Sequence, residues 1–158
     1  MQKTKTETHQ AGFTLIEVIA VLVIIAIVAA VAISKGISTS KVSVTSEANI
    51  LKTHLRFAQI KAMGATVSWG INISSGSYTL QSNGATATIN LPGETSPTHT
   101  FSGGVTATAP ATNPITFSTL GIPVNSTGNN LTANLTITLA QGSSTQTVTV
   151  TQYTGFLQ

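Results

Sequence analysis

The chain holds four glutamates, three histidines, no aspartate and no cysteine. The missing Cys removes disulfides, thiolate zinc sites and Cys nucleophiles together. With no Asp, and with Glu and His scattered along the chain, no acid–base pair or metal cage can be assembled from neighbouring positions. No catalytic, cofactor-binding or metal-ligating residue is assigned, no cofactor is expected, and the chain is read as non-enzymatic. One acid stands apart. Glu17 lies inside the apolar run from Phe13 to Ile33, whose only other polar member is Thr14. An unpaired acid in a membrane helix costs ~2.5–3.5 kcal/mol even on a lenient insertion scale. Glu17 therefore needs a cationic partner, or a place near the membrane surface to which it can snorkel.

The element that carries Glu17 has membrane dimensions. About 21 helical residues at ~1.5 Å rise span about 31 Å, close to the ~30 Å hydrocarbon core. Lys3 and Lys5 precede the run, so a short cytoplasmic N-terminus and an exported remainder are expected. An ordinary signal anchor is one alternative. A cleaved secretory signal is another, since Ala30-Val31-Ala32 fits an A-x-A site. Signal-peptide apolar regions, however, run ~7–15 residues and do not open on a Glu.

The helix is expected to continue through residues 34–65, which contain no Pro, with Gly36 its one weak point. Val44, Ala48, Leu51, Leu55, Ala58 and Ala62 recur at helical spacing and fall within a stripe of about 80°. Lys41, Lys52 and Arg56 flank one side; Glu47, His54 and Lys61 flank the other. Ile50, Phe57 and Ile60 add a further apolar arc. Gly64, after Lys61, is the expected stop.

Beyond the helix the composition turns to Thr, Ser, Asn and Gly, and period-2 runs replace helical ones. Leu131, Ala133, Leu135, Ile137 and Leu139 alternate with polar residues. Val148 and Val150 sit between threonines, and residues 140–144 read as the hairpin loop between the two runs. Shorter strands are expected at 67–73, 78–81, 86–89, 98–101, 105–108 and 115–118, punctuated by five prolines and Gly103-Gly104. Residues 92–113 are the expected mobile stretch. The fold class is α+β: a long N-terminal helix, membrane-spanning in its first half and amphipathic in its second, packed on an antiparallel β-rich head. The segments are 1–12, 13–33, 34–65 and 66–158.

The residues Gly12-Phe13-Thr14-Leu15-Ile16-Glu17-Val18 resemble the processing site of type IV pilins and type II secretion pseudopilins. The resemblance implies a pilin fold. It implies cleavage between Gly12 and Phe13 by a prepilin peptidase, N-methylation of Phe13, and a filament in which the new amine pairs with Glu17 of a neighbour. It also implies other pilins or pseudopilins and an inner-membrane assembly platform as partners, with the head in the periplasm. The stretch Leu55–Ala62, a strand with Trp69, the run Ile115–Gly121 and the closing Gly155-Phe156-Leu157 resemble the GspH/FimT minor pseudopilins. The chain lacks the C-terminal disulfide common in major pilins and the Asp-built calcium site common in major pseudopilins. Both absences point to a minor subunit: a minor pseudopilin of a type II secretion system, or a minor pilin that primes or tips a type IV pilus.

Some FimT-like members bind DNA, but from residue 62 onward this chain carries no Lys or Arg, and its only charged side chain is Glu94. Counterion release by cations drives non-specific nucleic-acid binding, so no nucleic-acid partner is expected. The net charge of +3, with charged residues at only 7%, reflects scarce acids and not a basic surface. Four N-x-S/T matches, at Asn72, Asn125, Asn130 and Asn134, are what an Asn- and Thr-rich chain produces by chance. His99 is expected in an exposed loop. Trp69, Tyr78, Phe101 and Phe117 are expected in the core.

Overall fold

The structure, a computed structural model, describes residues 13–34 and 39–158, with backbone alone at 31–34 and 39. Two compact units part between residues 37 and 38. The first contributes helix α1, Leu15–Ser34. The second contains α2, Thr39–Met63, and nine strands: β1 Trp69–Ile73, β2 Ser77–Ser82, β3 Ala85–Thr86, β4 Thr98–Thr100, β5 Thr106–Thr108, β6 Ile115–Phe117, β7 Pro123–Val124, β8 Leu135–Gln141 and β9 Ser144–Val150. The α+β class and the antiparallel head are as the sequence implies. Continuity of the helix through residues 35–38 lies outside the described residues, as does the 1–12 leader.

In α2 the stripe Val44, Ala48, Leu51, Leu55, Ala58 and Ala62 is buried throughout. These residues meet β1, β6, β8 and β9, so one helix serves two sheets. Fully burying one Leu stabilises by roughly 1.5–3 kcal/mol, and alanines in the same stripe let the backbone approach the strands. The helix stops where expected: Gly64 N–H bonds Ile60 O at 3.1 Å, and no helical residue follows. Two of the flanking residues, Glu47 and His54, are buried at 2% exposure each.

One sheet runs β3-β2-β1-β6-β7, with β4 pairing β2 alongside β3; the other runs β5-β8-β9. All pairs are antiparallel. Alternation is faithful on β8, where Leu135, Ile137 and Leu139 point inward. That strand begins at Leu135, however, not Leu131. The strand expected at 86–89 is instead Ala85–Thr86, starting directly after the Asn83-Gly84 turn. Both turn residues have positive φ, 50° and 78°, the type I′ geometry that Asn-Gly favours in a two-residue hairpin. Residues 92–113, read as the mobile stretch, carry β4 and β5 within the strands expected at 98–101 and 105–108 and supply buried Phe101, Val105 and Ala107. Large apolar side chains are few there, but each is used.

Two close approaches tighten the sheets. A Cβ on Gly70, the second residue of β1, would lie 2.9 Å from Thr116 Cα, so β1 and β6 approach this closely because that position is glycine. One step further along, Asn113 replaces a strand residue with its side chain. Its Oδ1 accepts from Ile73 N at 2.9 Å and its Nδ2 donates to Ile73 O at 2.8 Å. The sheets are joined by the 75–76 turn, where Gly76 O accepts from Phe101 N and Ser75 O from Ala107 N.

Because the second unit has its own core, a chain beginning at residue 38 is expected to be soluble and β-rich by far-UV circular dichroism. In it Leu55→Ala should lose about 2–5 kcal/mol in urea unfolding. A random-coil spectrum of the parent fragment would contradict the independent core.

Candidate functional site

The residues implied in processing and assembly stand at the start of α1. Gly12 lies outside the described residues. Phe13 is 83% exposed. Thr14 precedes the helix and caps it: its Oγ1 accepts from Glu17 N at 3.3 Å, and its carbonyl accepts from Glu17 N at 3.1 Å and Val18 N at 3.2 Å. Thr14-Leu15-Ile16-Glu17 has the T-x-x-E form of a capping box, a signal legible in the sequence. Glu17 therefore sits in the first turn, where the positive end of the helix dipole favours a carboxylate. The cap rationalises a Glu here, but it leaves the carboxylate exposed and its partner unspecified.

Every described side chain of α1, residues 15–30, is exposed, including Ile16 at 71%, Ile24 at 60% and Val28 at 61%. The helix is apolar all round from Val18 to Ala30. Among the described residues no helix is long and apolar enough to cross a membrane.

The second concentration of chemistry lies between α2 and the β2–β4 edge, and sequence spacing hid it. Glu47 Oε2 accepts from His99 Nε2 at 2.8 Å, and Glu94 Oε1 accepts from His99 Nδ1 at 2.6 Å. Ser102 donates to Glu47 Oε1 through its backbone N, at 3.0 Å, and through its hydroxyl. Beside them, His54 Nε2 meets the Pro92 carbonyl at 2.9 Å and His54 Nδ1 meets the Tyr78 hydroxyl at 2.8 Å. A carbonyl only accepts, so Nε2 carries the proton and Nδ1 accepts from Tyr78. His99 stacks on Tyr78, with ring centroids 4.9 Å apart. His99 is thus a buried residue of β4, 8% exposed, and not part of an exposed loop. Its pairing with Glu94, five residues away, was visible in the sequence; Glu47, 52 residues away, was not.

Burial sets the electrostatics, and hydrogen bonds decide the outcome. Burial disfavours the His99 cation, yet the bonds to Glu94 and Glu47 outweigh it and hold its pKa above the ordinary value. For Glu47, burial works upward, but bonds from Ser102 and His99 prevail and hold its pKa low. Burial lowers the His54 pKa and keeps that ring neutral. Burial also raises the Tyr78 pKa far above the ordinary value, so its hydroxyl keeps the proton it donates. All four imidazole nitrogens are occupied by protein partners, which leaves none to ligate a metal or attack a substrate. Among the described residues no group of His and Glu is arranged to hold a metal ion. The cluster ties α2 to β2, β4 and the 92–102 segment.

A third convergence sits at the far end of α2. Gln59 Nε2 donates to Gly121 O at 2.8 Å and to Thr154 O at 3.2 Å. A Cβ on Gly155 would lie 2.5 Å from Gln59 Nε2 and 2.7 Å from Gly121 O. The late helix, the Ile115–Gly121 run and the Gly155-Phe156-Leu157 ending, far apart in sequence, meet at this one amide.

The prokaryotic N-terminal methylation motif matches residues 8–33. The chain therefore carries, over its N-terminal part, the motif of type IV pilin-like proteins. No curated protein and no solved structure is matched by the chain.

The cluster gives pH dependence of defined sign. The raised His99 pKa contributes stability that is complete below its unfolded pKa, near 6.5, and is lost as pH rises through the folded value. The lowered Glu47 pKa contributes stability present above about 4.5 and lost as pH falls through its folded value. His54 works against His99, because the unfolded chain takes up its proton first as pH falls. Comparing wild type with His99→Gln isolates the His99 part. In urea unfolding the gap between them should be wider at about pH 6 than at about pH 9. An equal gap would mean His99 carries no charge in the fold.

Proposed function

We propose that this protein is a minor pseudopilin of a type II secretion system, a structural subunit of a short periplasmic filament that helps export folded proteins. The observation that carries the reading is α1: a helix bearing the methylation motif, apolar on every side, with all its described side chains uncovered. Lipid before assembly and neighbouring subunits after it supply the missing cover. In this reading residues 13–33 cross the inner membrane once, residues 39–63 lead into the periplasmic head, and a prepilin peptidase removes residues 1–12. Phe13 becomes N-methylphenylalanine, and its cationic amine pairs with Glu17 of an adjacent subunit. The pairing satisfies both charges and sets the axial register of the stack. The absence of Cys and Asp supports a minor subunit. A minor pilin of a type IV pilus uses the same processing site and helix.

Intact mass on membrane fractions tests processing. The mature chain is expected to begin at methylated Phe13. A chain beginning at Ile33 would mean cleavage at the Ala30-Val31-Ala32 site and a released head. Glu17→Val tests the pairing: cleavage and membrane insertion should persist while co-purification with the filament falls. Wild-type incorporation of Glu17→Val would remove the pairing from the assembly.

A further inference from the structure

The registers identify which backbone groups of β9 face away from its sheet. Gln141 and Ser144 close a two-residue hairpin, so they form a hydrogen-bonded pair, and such pairs alternate along the ladder. Ser144, Gln146, Val148 and Val150 therefore bond β8, while Thr145, Thr147 and Thr149 direct N–H and C=O outward. Thr149 confirms the phase, because it exchanges bonds with Gln158 at 3.2 and 3.0 Å. For Thr145 and Thr147 the outward groups have no partner among the described residues.

Natural sheets block such edges with Lys, Pro, bulges or covering loops. Two other edges here are treated that way. Ser75 O takes Ala107 N on β5, and β7 contains Pro123 and is closed by the Val124–Asn130 bridge. β9 has neither charge nor Pro: its sequence is Ser-Thr-Gln-Thr-Val-Thr-Val, its ladder with β8 is unbroken, and Thr145, Gln146 and Thr147 are exposed.

We infer that the Thr145–Thr147 edge of β9 is a docking strand for a second copy of this chain, paired antiparallel about a two-fold axis through Gln146. The outward groups sit at i and i+2 about Gln146. Thr145 of one copy then exchanges both bonds with Thr147 of the other, and Thr147 with Thr145, so all eight groups are satisfied. The register stops where Gln158 already occupies Thr149. A two-fold axis sets identical side chains near one another, which like charges forbid, and this edge has none: Thr and Gln meet Thr and Gln. The pairing is short and therefore weak alone; it gains where copies are held at high local concentration.

Because the chain lacks Cys, one substitution reports the contact. Gln146 opposes itself in a non-hydrogen-bonded pair, with Cα atoms about 4.5 Å apart, inside the disulfide range of about 4.4–6.8 Å. Full-length Gln146→Cys in detergent micelles is expected to form disulfide dimers several-fold faster than Ser143→Cys, which is exposed in the adjoining turn. Adding Thr147→Pro removes one outward N–H and should abolish the excess. Adding Thr145→Lys, which leaves the backbone unchanged, should slow cross-linking at low salt and recover it at high salt. Equal rates for the Gln146→Cys and Ser143→Cys chains would overturn the proposal. So would a Gln146→Cys rate untouched by both second substitutions.

Discussion

Burial of the α2 stripe is the constraint from which the head is built. Six residues on one helical face, from Val44 to Ala62, must leave water, and neither sheet alone is wide enough to cover them all. β1 and β6 of the larger sheet take one part, β8 and β9 of the smaller sheet the other. The strands are short, and several have only two or three residues. Strands of that length are marginal on their own. They persist because each presents a few inward residues to a common helix.

With so apolar a contact, direction has to come from elsewhere, and the polar groups that α2 buries supply it. Glu47 near its start reaches His99 and Ser102, His54 in its middle reaches Tyr78 and Pro92, and Gln59 near its end reaches Gly121 and Thr154. Removing one partner from such a group strands the other without water. The three contacts thus fix the helix at three heights against segments that hydrophobic burial alone would leave free to slide. The contacts of Glu47 and His54 are the ones that titrate, so pH acts on the join between helix and strands.

The two units obey opposite rules. The head buries a core of its own, and the outward positions of its strands are mostly threonine, serine and asparagine, although Ile60, Met63, Leu120 and Phe156 stay exposed. The first unit buries none of its side chains over residues 15–30.

What the sequence determined by itself is what depends on local period and spacing. The 3.6-residue stripe of α2 stands in the structure residue for residue, as do the cores of β1, β2, β4, β5 and β6. The 2-residue alternation of β8 and β9 located the hairpin, because inward and outward faces follow from the pleat alone. The Phe13–Glu17 segment was equally legible, since a Glu inside an apolar run stands out without any fold. The tertiary structure alone decided where the polar residues of α2 go. On the helix wheel Glu47 and His54 border the stripe, a position compatible with water or with burial; the choice fell to His99, Tyr78 and Pro92, which long loops bring to them. Leu131 and Ala133 have the right alternation but no neighbouring strand to bond, so β8 starts at Leu135. Residues 92–113 have weak patterns and few large side chains, yet order follows from long-range partners: Phe101 in the core, His99 between two glutamates and Ala107 on Ser75. Periodicity specifies which face of an element is buried. It carries no information about which distant group will meet a polar side chain at the border of that face, because that pairing depends on the path of the chain between them.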